Sequence, residues 1–155
     1  MLNNKVKNIL LTLLVGAPLA FAISFVSDHL NITVSESVDH RIFWETDAIA
    51  GPGDYATFEL SHELAGHEPV LISKRLMCWE GQTITQKDLE FFCNGESLGR
   101  AKTETLKGDP LPRFSYSGVV PAGKAWAYGS HPDSFDSRYW GFVDVSKTKR
   151  LKAIF

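Results

Sequence analysis

Ser35 and Ser37, Lys74, and a polar block from Gly129 to Gly141 carry the residue types that could do chemistry in this chain. A serine hydroxyl is a poor nucleophile until a base removes its proton, and an uncharged lysine amine can be that base without any histidine. The amine must therefore be neutral. Lys74 lies in Val70-Leu71-Ile72-Ser73-Lys74-Arg75-Leu76-Met77; read as a strand, with a period of two, this places it in one row with Val70, Ile72 and Leu76. Desolvation in such a row disfavours the ammonium and lowers its pKa. The plainer reading is an edge strand whose Lys74 reaches water at its tip while its stem packs. Ser35 and Ser37 are two apart, so an extended chain would turn both hydroxyls to one face. One could then attack an amide carbonyl while the other hydrogen-bonds the developing oxyanion.

Other clusters are less suited to a reaction. His62-Glu63 and His67-Glu68 suggest a zinc protease, but the two histidines are five apart and would not share a helix face. The segment from Ser61 to Pro69 reads as a polar loop, with no metal expected. Cys78 and Cys93 have no metal-type spacing. In an oxidising compartment they would close one modest loop as a disulfide; the alternative is two buried free thiols. A net charge of −2 offers no basic excess for neutralising phosphates, which argues against nucleic acid as a partner.

The elements that must position these groups begin with an apolar run. Lys5 and Lys7 precede Ile9 to Val26, which holds no charged residue, and Asp28 follows. Its length and the preceding positive charge predict a membrane anchor with a cytoplasmic N-terminus and an exported body. Residues 1–27 are thus the anchor, or a signal segment cut near Ala20-Phe21-Ala22, and residues 28–155 the exported domain. With 155 residues, 44 % of them hydrophobic, one domain beyond the anchor has enough apolar side chains for a core.

That domain reads as mainly β. Strands are expected at Asn31 to Val34, Arg41 to Trp44, Tyr55 to Leu60, Val70 to Met77, Gly81 to Thr85, Leu89 to Cys93 and Ala125 to Tyr128. Asn94-Gly95 fits a tight hairpin turn, and Gly51-Pro52-Gly53-Asp54 is a second turn signal. Lys102 to Arg113 is expected to be a surface loop. The cluster Lys147, Lys149, Arg150 and Lys152 reads as a solvated tail, with anionic lipid headgroups as a weaker option.

Ser35-Glu36-Ser37-Val38, Ser73-Lys74-Arg75 and Ser134-Phe135-Asp136-Ser137-Arg138-Tyr139-Trp140-Gly141, in this order, resemble the motifs of type I signal peptidases. The last block is the most specific. The resemblance implies a signal-peptidase-like catalytic β-domain behind a transmembrane helix. It implies a serine endopeptidase with no cofactor, in which Ser37 is the acylated nucleophile and Lys74 its general base. It further implies that Ser35 is an oxyanion-hole donor, that Ser134 orients the lysine amine, and that Asp136 and Arg138 form a structural ion pair. Val38 stands where the family usually has methionine, and Ser130-His131-Pro132 where housekeeping members carry Asp-Asn-Arg. The Cys78 to Cys93 pairing is similar to the conjugative-transfer branch, which matures pilin precursors. On that resemblance the partners are a preprotein, foremost a pilin precursor, and the lipid bilayer, with the catalytic domain in the periplasm. Joining of the pilin's ends in place of hydrolysis, or a non-catalytic place in a conjugation apparatus, are the alternative functions.

Overall fold

The apolar run folds as one helix, α1, Asn4–His29, in a computed structural model that describes residues 3–155. Its entry is capped by Asn3, whose side chain accepts the Lys5 N–H. At about 1.5 Å per residue it is long enough, and by composition apolar enough, to cross a bilayer. The helix belongs to one compact unit, which ends at Leu30; Asn31–Phe155 forms a second.

The second unit is built from strands. A seven-stranded sheet runs in the order β1 (Leu30–Ile32), β2 (Ile42–Thr46), β11 (Lys149–Ala153), β3 (Tyr55–Leu60), β4 (Val70–Trp79), β9 (Lys124–Tyr128), β10 (Phe142–Asp144). A four-stranded sheet runs β7 (Glu96–Arg100), β6 (Glu90–Cys93), β5 (Thr83–Lys87), β8 (Gly118–Val119). The β6–β7 hairpin turns at Asn94 and Gly95, both with positive φ, as a type I′ turn demands. Cys78 of β4 and Cys93 of β6 form a disulfide with Cα atoms 5.8 Å apart, joining the two sheets. Around it packs the largest cluster, with Ile84, Phe91, Leu98, Val120 and Trp126 all buried.

β4 has the alternation its sequence implies, with Lys74, Leu76 and Cys78 buried and Leu71 and Arg75 exposed. Its neighbours are β3 and β9, so it is an inner strand. That removes the snorkelling reading, because a lysine on the covered face of an inner strand has no short path to water. The cross-strand partner of Lys74 is Ala56, and Ala127 pairs with Leu76; both alanines are fully buried. Their single methyls leave the row open for the long lysine stem.

Two expectations need correcting. The basic C-terminal cluster faces solvent but is not a tail: Lys149–Ala153 forms β11, paired on both edges with β2 and β3. Leu151 is buried there, a contribution of roughly 2 kcal/mol, and the flanking cations are held by acids, Arg150 by Asp54 and Lys149 by Glu45, each at 2.7 Å. The first strand ends at Ile32, so Ser35 and Ser37 are not on an extended chain. They sit in a turn.

Candidate active site

The turn brings the two serine hydroxyls together more closely than a strand could. Side chains at i and i+2 of a strand stand nearly 7 Å apart, whereas here Ser35 Oγ and Ser37 Oγ are hydrogen-bonded to each other. Ser35 Oγ also accepts the Ser37 N–H at 3.1 Å. Both groups that could serve a developing oxyanion, the Ser35 hydroxyl and the Ser37 amide, thus lie beside the Ser37 hydroxyl.

Lys74 is 5 % exposed and its Nζ donates to Ser134 Oγ at 3.0 Å. Burial pushes its pKa down from 10.5 to about 8; the Asp136 carboxylate pulls it back up and the Arg138 guanidinium lowers it further. At neutral pH roughly a tenth of the amine is therefore uncharged, many times the fraction of a free lysine.

Ser134 is held by the segment that follows β9. Asp136 caps the short helix α2, Ser137–Trp140, by accepting the Arg138 N–H, and its Oδ2 accepts the Gly129 N–H at 2.9 Å. The Arg138 guanidinium grips both Asp136 oxygens at 2.8 Å, with neither side chain more than 3 % exposed. Such a bidentate pair fixes orientation as well as charge. Ser137 Oγ accepts the Ala127 N–H at 2.8 Å, so the block is tied directly to β9.

Gly129 is where these parts meet. A Cβ there would overlap the Ser134 hydroxyl and lie only 2.7 Å from the Ser37 carbonyl oxygen. Ser134 and the Ser37 backbone therefore close over a residue that can carry no side chain. Among the described residues Ser37 Oγ and Lys74 Nζ share no hydrogen bond; each is engaged by another hydroxyl, Ser35 and Ser134. Catalytic hydrogen bonds often tighten only when substrate is bound.

Residues 5–150 match the profile of signal peptidase, peptidase S26. The chain belongs to that family. Signal peptidases of this family are serine endopeptidases that remove leader peptides, so a preprotein substrate follows from membership. Its N-terminal apolar helix is consistent with a membrane-anchored protein of that kind. A signal peptidase I from Enterococcus faecalis V583 is similar, with 24 % identity over 70 % of this chain and 99 % of that one, at a TM-score of 0.39. No curated protein matches the chain.

Sequence reasoning assigned no role to Gly129, Ser130 or Asp39 in this signal peptidase. Ser130 N–H donates to the Ser37 carbonyl at 3.0 Å, and Ser130 Oγ donates to Asp39 Oδ1 at 2.6 Å. The partners of that second bond are 91 residues apart, a separation that leaves no local pattern. Gly129 carried a weak signal, as the glycine that ends an apolar strand and opens the Ser134 segment.

Proposed function

We propose that Ser37 and Lys74 are the reacting pair of a membrane-anchored signal peptidase that cuts leader peptides from exported precursors. The observation that carries this is the buried Lys74 amine, its pKa lowered to about 8 and its direction fixed by Ser134, beside the turn that presents Ser37.

Ser37 Oγ attacks the scissile carbonyl while its proton passes to the neutral Lys74 Nζ. As negative charge grows on the oxyanion, the Ser35 O–H leaves Ser37 Oγ and the Ser37 N–H leaves Ser35 Oγ, and both donate to it. Collapse of the tetrahedral intermediate breaks the C–N bond, and the proton on Lys74 leaves with the new amine. The amine is neutral again. Lys74 Nζ then takes a proton from water, whose oxygen attacks the ester; the acyl C–Oγ bond breaks, the proton passes from Nζ to Ser37 Oγ, and the leader departs with a free carboxyl group. Ser134 keeps Nζ aimed, and the Asp136–Arg138 pair holds Ser134's segment on β9.

Helix α1 serves as the anchor, with residues 28–155 on the periplasmic side; the disulfide supports an oxidising compartment. The disulfide and the resemblance to the conjugative-transfer branch favour a pilin precursor as substrate, with small side chains one and three residues before the cut. The test is processing of a co-expressed pilin precursor by Ser37→Ala, Lys74→Ala and Lys74→Arg variants, each verified as folded and membrane-associated. All three should leave the precursor uncut, because arginine cannot supply a neutral base. Processing by any one of them refutes the pair. Mass spectrometry of the product shows whether its ends are free or joined.

A further inference from the structure

Asp39 stands two residues after Ser37, at the end of the same turn, and takes no part in the chemistry above. Its carboxylate binds two separate segments. Oδ1 accepts from Ser130 Oγ at 2.6 Å and Oδ2 from the Tyr55 hydroxyl at 3.4 Å. Tyr55 begins β3, pairs with Arg75 and immediately precedes Ala56, the partner of Lys74. Its ring is packed against Phe43, 5.2 Å between centroids, and under the Arg75 guanidinium at 5.7 Å, so the phenol is a fixed post. Ser130 follows Gly129 and holds the nucleophile turn twice, by its N–H on the Ser37 carbonyl and by its hydroxyl on Asp39.

We propose that Asp39 and Ser130 are positioning residues that latch the Ser37 turn to the Ser134 loop and to the strand beside Lys74. The proposal rests on Ser37 and Lys74 being the reacting pair. Besides the latch the turn is seated by Val38, buried among Phe43, Leu151 and Tyr55, an apolar contact with strands β2, β11 and β3 that does not include the Ser134 loop. Among the described residues, the turn's other polar link to the Ser134 loop is Glu36 near His131 at 3.6 Å, between exposed side chains, a contact of little strength. With the latch, the nucleophile, the base and the residue that aims the base are referred to one rigid frame. The chemistry is sensitive to this: a displacement of about 1 Å can cost on the order of a hundredfold in rate. The carboxylate suits the task because its two oxygens accept two hydroxyls at once, whereas an asparagine would keep one acceptor.

The experiment measures kcat and KM on a leader-peptide substrate for full-length, detergent-solubilised Asp39→Ala, Ser130→Ala, Ser130→Thr, the Asp39→Ala/Ser130→Ala double variant and a Ser37→Ala control, with melting curves for each. A latch predicts that kcat falls about tenfold to a hundredfold in each alanine variant. KM stays within about twofold, since the substrate's own contacts are untouched. Ser130→Thr retains most of kcat because it keeps both donors, and the double variant is no slower than the slower single one. Wild-type kcat in Asp39→Ala and Ser130→Ala, beside an inactive Ser37→Ala, overturns the latch alone, as does a double variant whose losses multiply. Cleavage by Ser37→Ala overturns the underlying pair instead.

Discussion

The Lys74 amine donates to the Ser134 hydroxyl at 3.0 Å, and the two side chains are 5 % and 2 % exposed. A buried amine facing a hydroxyl in place of a carboxylate has its direction fixed by a group that carries no counter-charge, and the Asp136 carboxylate offsets its burial only in part. Burial thus remains the dominant influence on its pKa.

The first prediction concerns pH. With Lys74 titrating at about 8, the active neutral amine grows as pH rises through that value. kcat/KM should accordingly climb about tenfold per pH unit below 8 and level off above it. A profile of leader-peptide cleavage from pH 6 to 10 checks this; a flat or falling limb between 6 and 8 is incompatible with lysine as the base.

The same burial makes Lys74 a burden on stability. Its pKa is about 8 folded against 10.5 unfolded, so below pH 8 the folded state bears the full desolvation of an ammonium. That amounts to about 3 kcal/mol for a shift of this size. Between 8 and 10.5 the folded lysine is already neutral while the unfolded one is still charged, and the burden fades as pH rises. Lys74→Met should therefore be inactive yet more stable than the wild type at pH 6, with the gap closing towards pH 10.5. Urea denaturation at several pH values measures it.

Gly129→Ala should abolish activity. The new methyl would fall on the Ser134 hydroxyl and 2.7 Å from the Ser37 carbonyl, and the buried Ser134 cannot move aside freely. Overpacking of this kind costs roughly 1–3 kcal/mol, so the variant should fold with a lowered melting temperature. Expected with it is a loss in kcat of about a hundredfold or more, from displacement of Ser134 and Ser37. Wild-type turnover would show that the gap over residue 129 is not needed.

The parts of this architecture that are legible in the chain are those set by near neighbours. Alternation from Val70 to Met77 places Lys74 inward, and Asn94-Gly95 marks its hairpin because both residues tolerate positive φ. What escapes is set by distant pairing. Lys149, Arg150 and Lys152 read as a solvated tail because three of five residues in β11 are cations; they do face solvent, but Leu151 between them is buried and the chain pairs with β2 and β3, partners about 100 residues away. The turn at Ser35 and Ser37 and its bonds to Ser130 follow the same rule, since nothing near Asp39 announces a hydroxyl 91 residues on.

Asp136 offers a prediction in which stability and chemistry move separately. Asp136→Asn keeps the shape of the side chain and one acceptor oxygen for the Gly129 N–H, but leaves the Arg138 guanidinium buried without a counter-charge. Breaking a buried pair from one side costs about 3–5 kcal/mol, so the melting temperature should fall sharply. Removing the cation as well, in Asp136→Asn/Arg138→Met, should recover part of that loss. The carboxylate also raises the pKa of Lys74, so in Asp136→Asn the rising limb of kcat/KM should begin at lower pH than in the wild type. In the double variant the limb should lie above that of Asp136→Asn, because Arg138 lowers the same pKa. Limbs that stay in place while the melting temperature falls would mean that the buried pair holds the Ser134 segment without tuning the base.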